Sequence, residues 1–190
     1  MNTTTHKVHI HDKIFLKYID ASAIDEAVRK LARQIETDYK NDIPLLLVVM
    51  DGAMLFAADL MRKINIPLEI CGIKYTSYQG MQSTENVVSL MEINRNIENR
   101  RIIIVEDIVD TGLTIATIWE ALEQKKVKDI RIATLTFKPD AYCQKLPIDY
   151  VGLEIENKFI VGYGMDYNGL GRNLPEIYQV EASKNLNNDK

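Results

Sequence analysis

Three carboxylates, Glu106, Asp107 and Asp110, stand within five residues in Arg101-Ile-Ile-Ile-Val-Glu-Asp-Ile-Val-Asp-Thr-Gly-Leu-Thr114. An apolar run leads into them, and Thr111, Gly112 and Thr114 follow before helical periodicity resumes. Carboxylates are acceptors and suit the two hydroxyls of a ribose. Successive backbone N–H groups at a helix start, with Gly112 permitting close approach, suit a phosphate monoester. Side chains alternate along a strand. Glu106 and Asp107 can therefore serve one ligand only if the chain has left the strand by that point, and the run is expected to end at Val105. Taken singly, Asp110 or Thr114 reads as a helix N-cap. Three neighbouring acids at a buried strand's end repel one another, which makes sense only beside a cation or a hydroxyl-bearing ligand.

A second cluster lies in Asn157-Lys-Phe-Ile-Val-Gly-Tyr-Gly-Met-Asp-Tyr-Asn-Gly-Leu-Gly-Arg172 and on to Tyr178, a short β run followed by a glycine-punctuated loop. Taken alone, Phe159 reads as a core aromatic, and Asp166 with Arg172 as a surface ion pair. Lys138, in Thr136-Phe-Lys-Pro139, reads as a solvated strand-end lysine. Val48-Val-Met-Asp-Gly-Ala-Met54 joins an apolar run to a helix. The polar segment Lys74–Thr84 lacks apolar periodicity and is long for an ordinary connection.

Elements that could position these residues are legible in the apolar pattern. Leu45–Met50, Leu68–Lys74, Arg101–Val105, Ile130–Leu135 and Tyr150–Ile155 are continuous runs rich in β-branched residues, as strands buried on both faces are. Helices are expected at Ala21–Tyr39, where Ile24, Val28, Leu31 and Ile35 form one stripe, at Gly52–Ile64 and at Thr111–Lys125. The alternation predicts an α/β fold with a mainly parallel central sheet flanked by helices. From about Lys138 the texture changes to Tyr, Gly, Pro and Asn. That segment, to about residue 180, is expected to join the N-terminal segment in a small hood lobe. The polar tail 182–190 is expected to fray.

The 190 residues suit one domain, and a composition of 46% hydrophobic and 26% charged residues excludes disordered and fibrous classes. No apolar run spans a bilayer and no secretory segment is present, so a cytoplasmic setting is expected. Cys71 and Cys143 have no ligand pattern and read as free thiols. A net charge of −4 argues against nucleic-acid binding.

Val105-Glu-Asp-Ile-Val-Asp-Thr-Gly-Leu-Thr114 resembles the signature by which type I phosphoribosyltransferases bind 5-phosphoribosyl-1-pyrophosphate (PRPP). The Asn157–Tyr178 string is similar to the hypoxanthine-guanine branch over about twenty positions, and the likeness runs from Leu45 to Tyr178. The resemblance implies that Glu106 and Asp107 hold the ribose hydroxyls. Asp110, Thr111, Gly112, Leu113 and Thr114 would hold the 5′-phosphate, Leu113 standing where many relatives carry Lys. Phe159 would stack on the purine, the Ile160 backbone would bond its Watson–Crick edge, and Lys138 would donate to O6. Asp166 would help hold Mg²⁺ through water, beside Glu106 and Asp107, and Arg172 would neutralise pyrophosphate. Met50, Asp51 and Gly52 match the pyrophosphate loop, with a cis peptide expected between Met50 and Asp51. Many relatives carry Lys at position 51. An acid cannot pair with pyrophosphate, so only a backbone role is expected there. Ser77 and Tyr78 match a mobile lid.

The implied reaction is purine salvage. Hypoxanthine or guanine displaces pyrophosphate from PRPP to give IMP or GMP, with Mg²⁺ as cofactor and Asp110 handling the N7 proton. Relatives are usually dimers or tetramers, so a homo-oligomer is expected. Two rivals are an RNA-binding regulator that keeps the fold, disfavoured by the acidic balance, and the same fold acting on xanthine or orotate. Orotate is disfavoured by the Phe159–Arg172 pattern.

Overall fold

The computed structural model describes residues 7–74 and 96–181. Five strands form the central sheet: β3 (Leu45–Met50), β4 (Glu69–Lys74), β5 (Arg101–Val109), β6 (Asp129–Phe137) and β7 (Tyr150–Glu154). They lie in the order β4-β3-β5-β6-β7, and every pairing is parallel. Among the described residues, three helices cover the sheet: α1 (Ala21–Asp38), α2 (Met54–Lys63) and α3 (Leu113–Glu123).

The unbroken apolar runs are explained by burial on both faces. Leu46, Val48, Ile103, Val105, Ala133 and Leu135 pack with α1 and α2. Leu45, Leu47, Val49, Ile102, Ile104 and Ile132 pack with Ile115, Ile118 and Leu122 of α3. The stripe expected on α1 is buried as read, and Asp20 caps the helix by accepting the Ala23 N–H at 2.9 Å.

A second sheet joins β1 (Lys7–Ile10), β2 (Lys13–Ile19), β8 (Ile160–Val161) and β9 (Ile177–Val180) in the antiparallel order β1-β2-β9-β8. This lobe is narrower than expected. The stretch from Lys138 to Glu154 does not belong to it, because β7 extends the central sheet beside β6. The lobe shares the central core through Ile160, Tyr163, Met165 and Ile177.

Strand order reverses at β3. The chain runs outward from β3 to β4, then returns to lay β5 on the other side of β3. The segments leaving the carboxyl ends of β3 and β5 therefore diverge and leave a crevice, the place where open α/β sheets bind ligands.

Candidate active site

At the crevice, β5 does not stop at Val105. It pairs with β6 through Glu106↔Thr134, Ile108↔Thr136 and Val109↔Phe137, so the two acids lie inside the strand. The expected exit from the strand is replaced by a slip in facing. Ile103 and Val105 pack on the α1–α2 side and Ile102 and Ile104 on the α3 side, yet Ile108 packs with the former and Val109 with the latter. Strand β6 slips likewise, since Leu135 faces α1–α2 and Phe137 faces α3. Strict alternation is thus broken across Glu106–Asp107, the point where two adjacent acids have to serve one site.

Asp107 is buried, and its backbone carbonyl is fixed by the Thr136 hydroxyl at 2.9 Å. Its carboxylate lies against the backbone of Gly52. A Cβ on Gly52 would fall 2.2 Å from Asp107 Oδ2, so no other residue fits there without displacing the acid. Burial raises the Asp107 carboxyl to about 6, while the nearby Arg172 charge lowers it and Asp166 raises it. Burial, and then the charge of Asp107, push Glu106 well above the ordinary carboxylate range. Its Oε2 is enclosed without a hydrogen-bond partner. Two enclosed acids with this much unmet charge and bonding capacity suit a cation and hydroxyl donors.

The residues fit Mg²⁺ of a particular kind. Among the described residues no group of three or more His, Cys, Asp or Glu side chains converges into a cage. Mg²⁺ needs none, because it keeps waters and takes one or two carboxylates with substrate phosphates. Glu106 and Asp107 can supply those carboxylates. Asp166 is already engaged, with Oδ1 at 2.7 Å from Arg172 Nη2 and Oδ2 accepting the Gly169 N–H at 2.7 Å.

After β5 the chain turns through Asp110–Gly112 into α3. Gly112 sits at the N-cap with φ +79, and no side chain caps the helix. Neither Asp110 nor Thr114 is thus a cap. The first intrahelical bond is Ala116 N–H to the Gly112 carbonyl at 2.9 Å, and the N–H groups before it have no helical partner by geometry. They are donors of the kind a phosphate cradle requires. Tyr142 and Gln144 crowd Gly112, and Cys143 N–H donates to the Thr111 carbonyl at 3.3 Å. Leu113, the first residue of α3, is exposed.

The Asp110 carboxylate reaches the Lys138 ammonium at 2.7 Å, and Lys138 is buried at 5% exposure. The solvated reading of Lys138 is therefore wrong. Lys138 N–H also bonds the Val109 carbonyl at 3.0 Å, so the acid and the base are held by one neighbourhood of the β5 and β6 ends. Phe159 is half exposed, with Tyr167 edge-on at 5.6 Å and Phe15 at 6.1 Å behind it. It offers a face rather than filling a core. Ile160 is buried and pairs with Gln179 of β9.

Across the crevice, Met50–Asp51 is a cis peptide, as expected. The Asp51 side chain is exposed and turns to Lys74 of β4 at 3.5 Å. Arg172 donates to the Gly164 carbonyl at 2.7 Å beside its contact with Asp166. Asp107, Gly52, Asp166 and Arg172 are thus brought together, and Asp110 with Lys138, while Phe159 stands on the hood. Ser77 and Tyr78 lie outside the described residues. Reading by sequence missed the Tyr163–Asp59 contact and the Tyr167 support of Phe159. The glycines flanking Tyr163 were the one local sign of an unusual backbone there.

A family model for the phosphoribosyl transferase domain matches residues 17–168. A hypoxanthine-guanine phosphoribosyltransferase of Streptococcus pyogenes is 41% identical over 150 residues, covering 78% of this chain and 83% of that protein. The bifunctional protein TilS/HprT of Listeria monocytogenes is 33% identical over 169 residues, 88% of this chain, which spans only 26% of that protein's length. The crystal structure of a Bacillus anthracis hypoxanthine-guanine phosphoribosyltransferase superimposes with a TM-score of 0.80 at 37% identity, covering 87% of this chain and 98% of the other.

Proposed function

The chain belongs to the phosphoribosyltransferase family, and from that membership we propose that it transfers the 5-phosphoribosyl group of PRPP to N9 of hypoxanthine or guanine, releasing IMP or GMP and pyrophosphate. The observation that carries this reading is the buried Asp107 at the sheet's switch point, lying against Gly52 on one side and within the field of Arg172 on the other. A ribose acceptor and the two walls of a leaving-group site then share one crevice.

Each residue has a task in that reaction. Glu106 and Asp107 accept from the ribose hydroxyls. The turn at 110–114 donates its N–H groups to the 5′-phosphate, and Thr111 and Thr114 add hydroxyls. The Met50–Gly52 backbone and Arg172 receive the charge that builds on pyrophosphate as the C1–oxygen bond breaks. Glu106 and Asp107, with Asp166 through water, would hold Mg²⁺, which would supply the remaining neutralisation of the leaving group. Phe159 stacks on the purine, the Ile160 backbone bonds its Watson–Crick edge, and Lys138 donates to O6. When Lys138 turns to O6 it leaves the Asp110 carboxylate free to take the N7 proton as N9 attacks C1. The free Cys71 and Cys143 suit a reducing compartment, the cytoplasm. No helix among the described residues is long and apolar enough to cross a membrane. A homodimer or homotetramer completes the reading.

A panel of hypoxanthine, guanine, xanthine, adenine and orotate, each with PRPP and Mg²⁺ and followed by pyrophosphate release, tests it. Release with hypoxanthine and guanine is expected, abolished by excess EDTA and restored by Mg²⁺. No release with either base overturns the function, and undiminished turnover in EDTA overturns the place given to the metal.

A further inference from the structure

Tyr163 lies in the hood loop with φ +48, between Gly162 and Gly164, both at φ +101. It is buried at 7% exposure. Its hydroxyl donates to Asp59 Oδ2 at 2.6 Å across 104 residues of sequence, and its N–H bonds the Leu174 carbonyl at 2.8 Å. Asp59 belongs to α2, the helix that follows directly from the Met50–Gly52 turn. The bond therefore ties the hood to the helix that carries the pyrophosphate loop.

The residue after Tyr163 makes the other half of the connection. Gly164 lies so close to that loop that a Cβ on it would fall 2.0 Å from the Gly52 carbonyl oxygen. The Gly164 N–H donates to the Arg172 carbonyl at 2.9 Å, and its carbonyl accepts Arg172 Nη1 at 2.7 Å. Where Gly164 sits thus sets both the approach of Gly52 and the position of the Arg172 guanidinium.

We propose that Tyr163 and Asp59 are a positioning pair that holds the two walls of the pyrophosphate site, the Gly52 backbone and Arg172, in register across the crevice. Neither residue touches substrate. The assignment rests on the functional reading above only in the name given to the anion. The purine and 5′-phosphate subsites are assigned to Lys138, Phe159, the Ile160 backbone and residues 110–114, and the pair's own bonds, to Leu174 and Arg62, reach none of these. Its loss is felt on one side of the active site.

The test is calorimetric titration of the full chain with Mg²⁺-pyrophosphate and, separately, with IMP. Tyr163→Phe and Asp59→Ala are each expected to weaken pyrophosphate about tenfold, the scale of a lost hydrogen bond to a charged group, while IMP stays within about twofold. Asp59→Asn keeps an acceptor oxygen and is expected to stay within about threefold of the parent, and the double variant to be no worse than either single one, as for partners in a single contact. If Tyr163→Phe does not fold, the half-exposed Asp59 substitutions probe the same bond from the helix side. Unchanged pyrophosphate affinity overturns the proposal. So does an equal loss of IMP and pyrophosphate, which marks a general effect on the fold, or a parent that binds no pyrophosphate. A parent that binds both ligands but turns over no base overturns the functional reading instead, while the affinities of the variants still decide the pair.

Discussion

The β5–α3 turn and the Gly162–Arg172 loop face the same crevice and are built by opposite means. In the first, acids, turn and helix start are consecutive residues, fixed by one strand, one left-handed glycine and one helix. In the second, Arg172 is bonded to Gly164, which lies against Gly52, and the neighbouring Tyr163 is bonded to Asp59, 104 residues earlier. The difference predicts that damage to the first changes the chemistry while leaving ligand geometry nearby, and that damage to the second separates two halves of a binding site.

The largest expected effect concerns the base, whose recognition draws on both kinds of contact. A protonated Lys138 is only a donor. It matches O6 of hypoxanthine or guanine and meets a second donor in adenine, whose unprotonated N1 also leaves a backbone carbonyl unpaired. Two such mismatches give discrimination of about 10⁴-fold. The ratio of kcat/KM for hypoxanthine over adenine measures it, and Lys138→Met is expected to shrink that ratio while lowering use of hypoxanthine. A ratio under about tenfold would sink the assignment of Lys138.

Next in size is Asp110→Asn, which acts wholly within the local region. On the proposed role of Asp110 toward the N7 proton, its loss is expected to lower kcat about 10²-fold or more with much less change in PRPP affinity. A near-normal kcat would leave Asp110 as nothing more than the partner of Lys138.

Gly52→Ala acts on the assembled region. The added methyl meets the Asp107 carboxylate, so the acid and the Met50–Gly52 turn have to part. Displacement by about 1 Å is expected to cost about 10² in kcat/KM for PRPP, carried largely by KM. A loss confined to kcat, with PRPP binding intact, would erase the contrast with Asp110.

The smallest effect is expected at Asp51. Its carboxylate makes an exposed contact with Lys74, and such pairs are worth little. Asp51→Asn is expected to keep kcat/KM for PRPP within about tenfold, or to raise it by removing an acid from beside an anion. A larger loss would show that the Asp51–Lys74 pair itself shapes the loop.

Local patterns in the chain were enough to read the five-stranded sheet and the three helices to within a few residues. Runs of β-branched residues and a 3.6-residue stripe record the backbone conformation and burial of their own segment. The acid cluster and its glycine were legible for the same reason, being contiguous. The hood strands were harder. β8 has two residues and β1 turns into β2 through His11 at φ +52, with no glycine to mark the turn.

What the sequence by itself determined, then, is what consecutive residues carry: adjacent acids, a glycine turn into a helix, and parallel strands to end beneath them. Only the tertiary structure decided that β5 continues past its acids while its facing slips, that Asp110 meets Lys138, that Asp51 turns to Lys74, and that Tyr163 reaches Asp59. Each of these depends on where a distant segment comes to rest. That position results from packing summed over the whole core, and no single stretch of the chain records it.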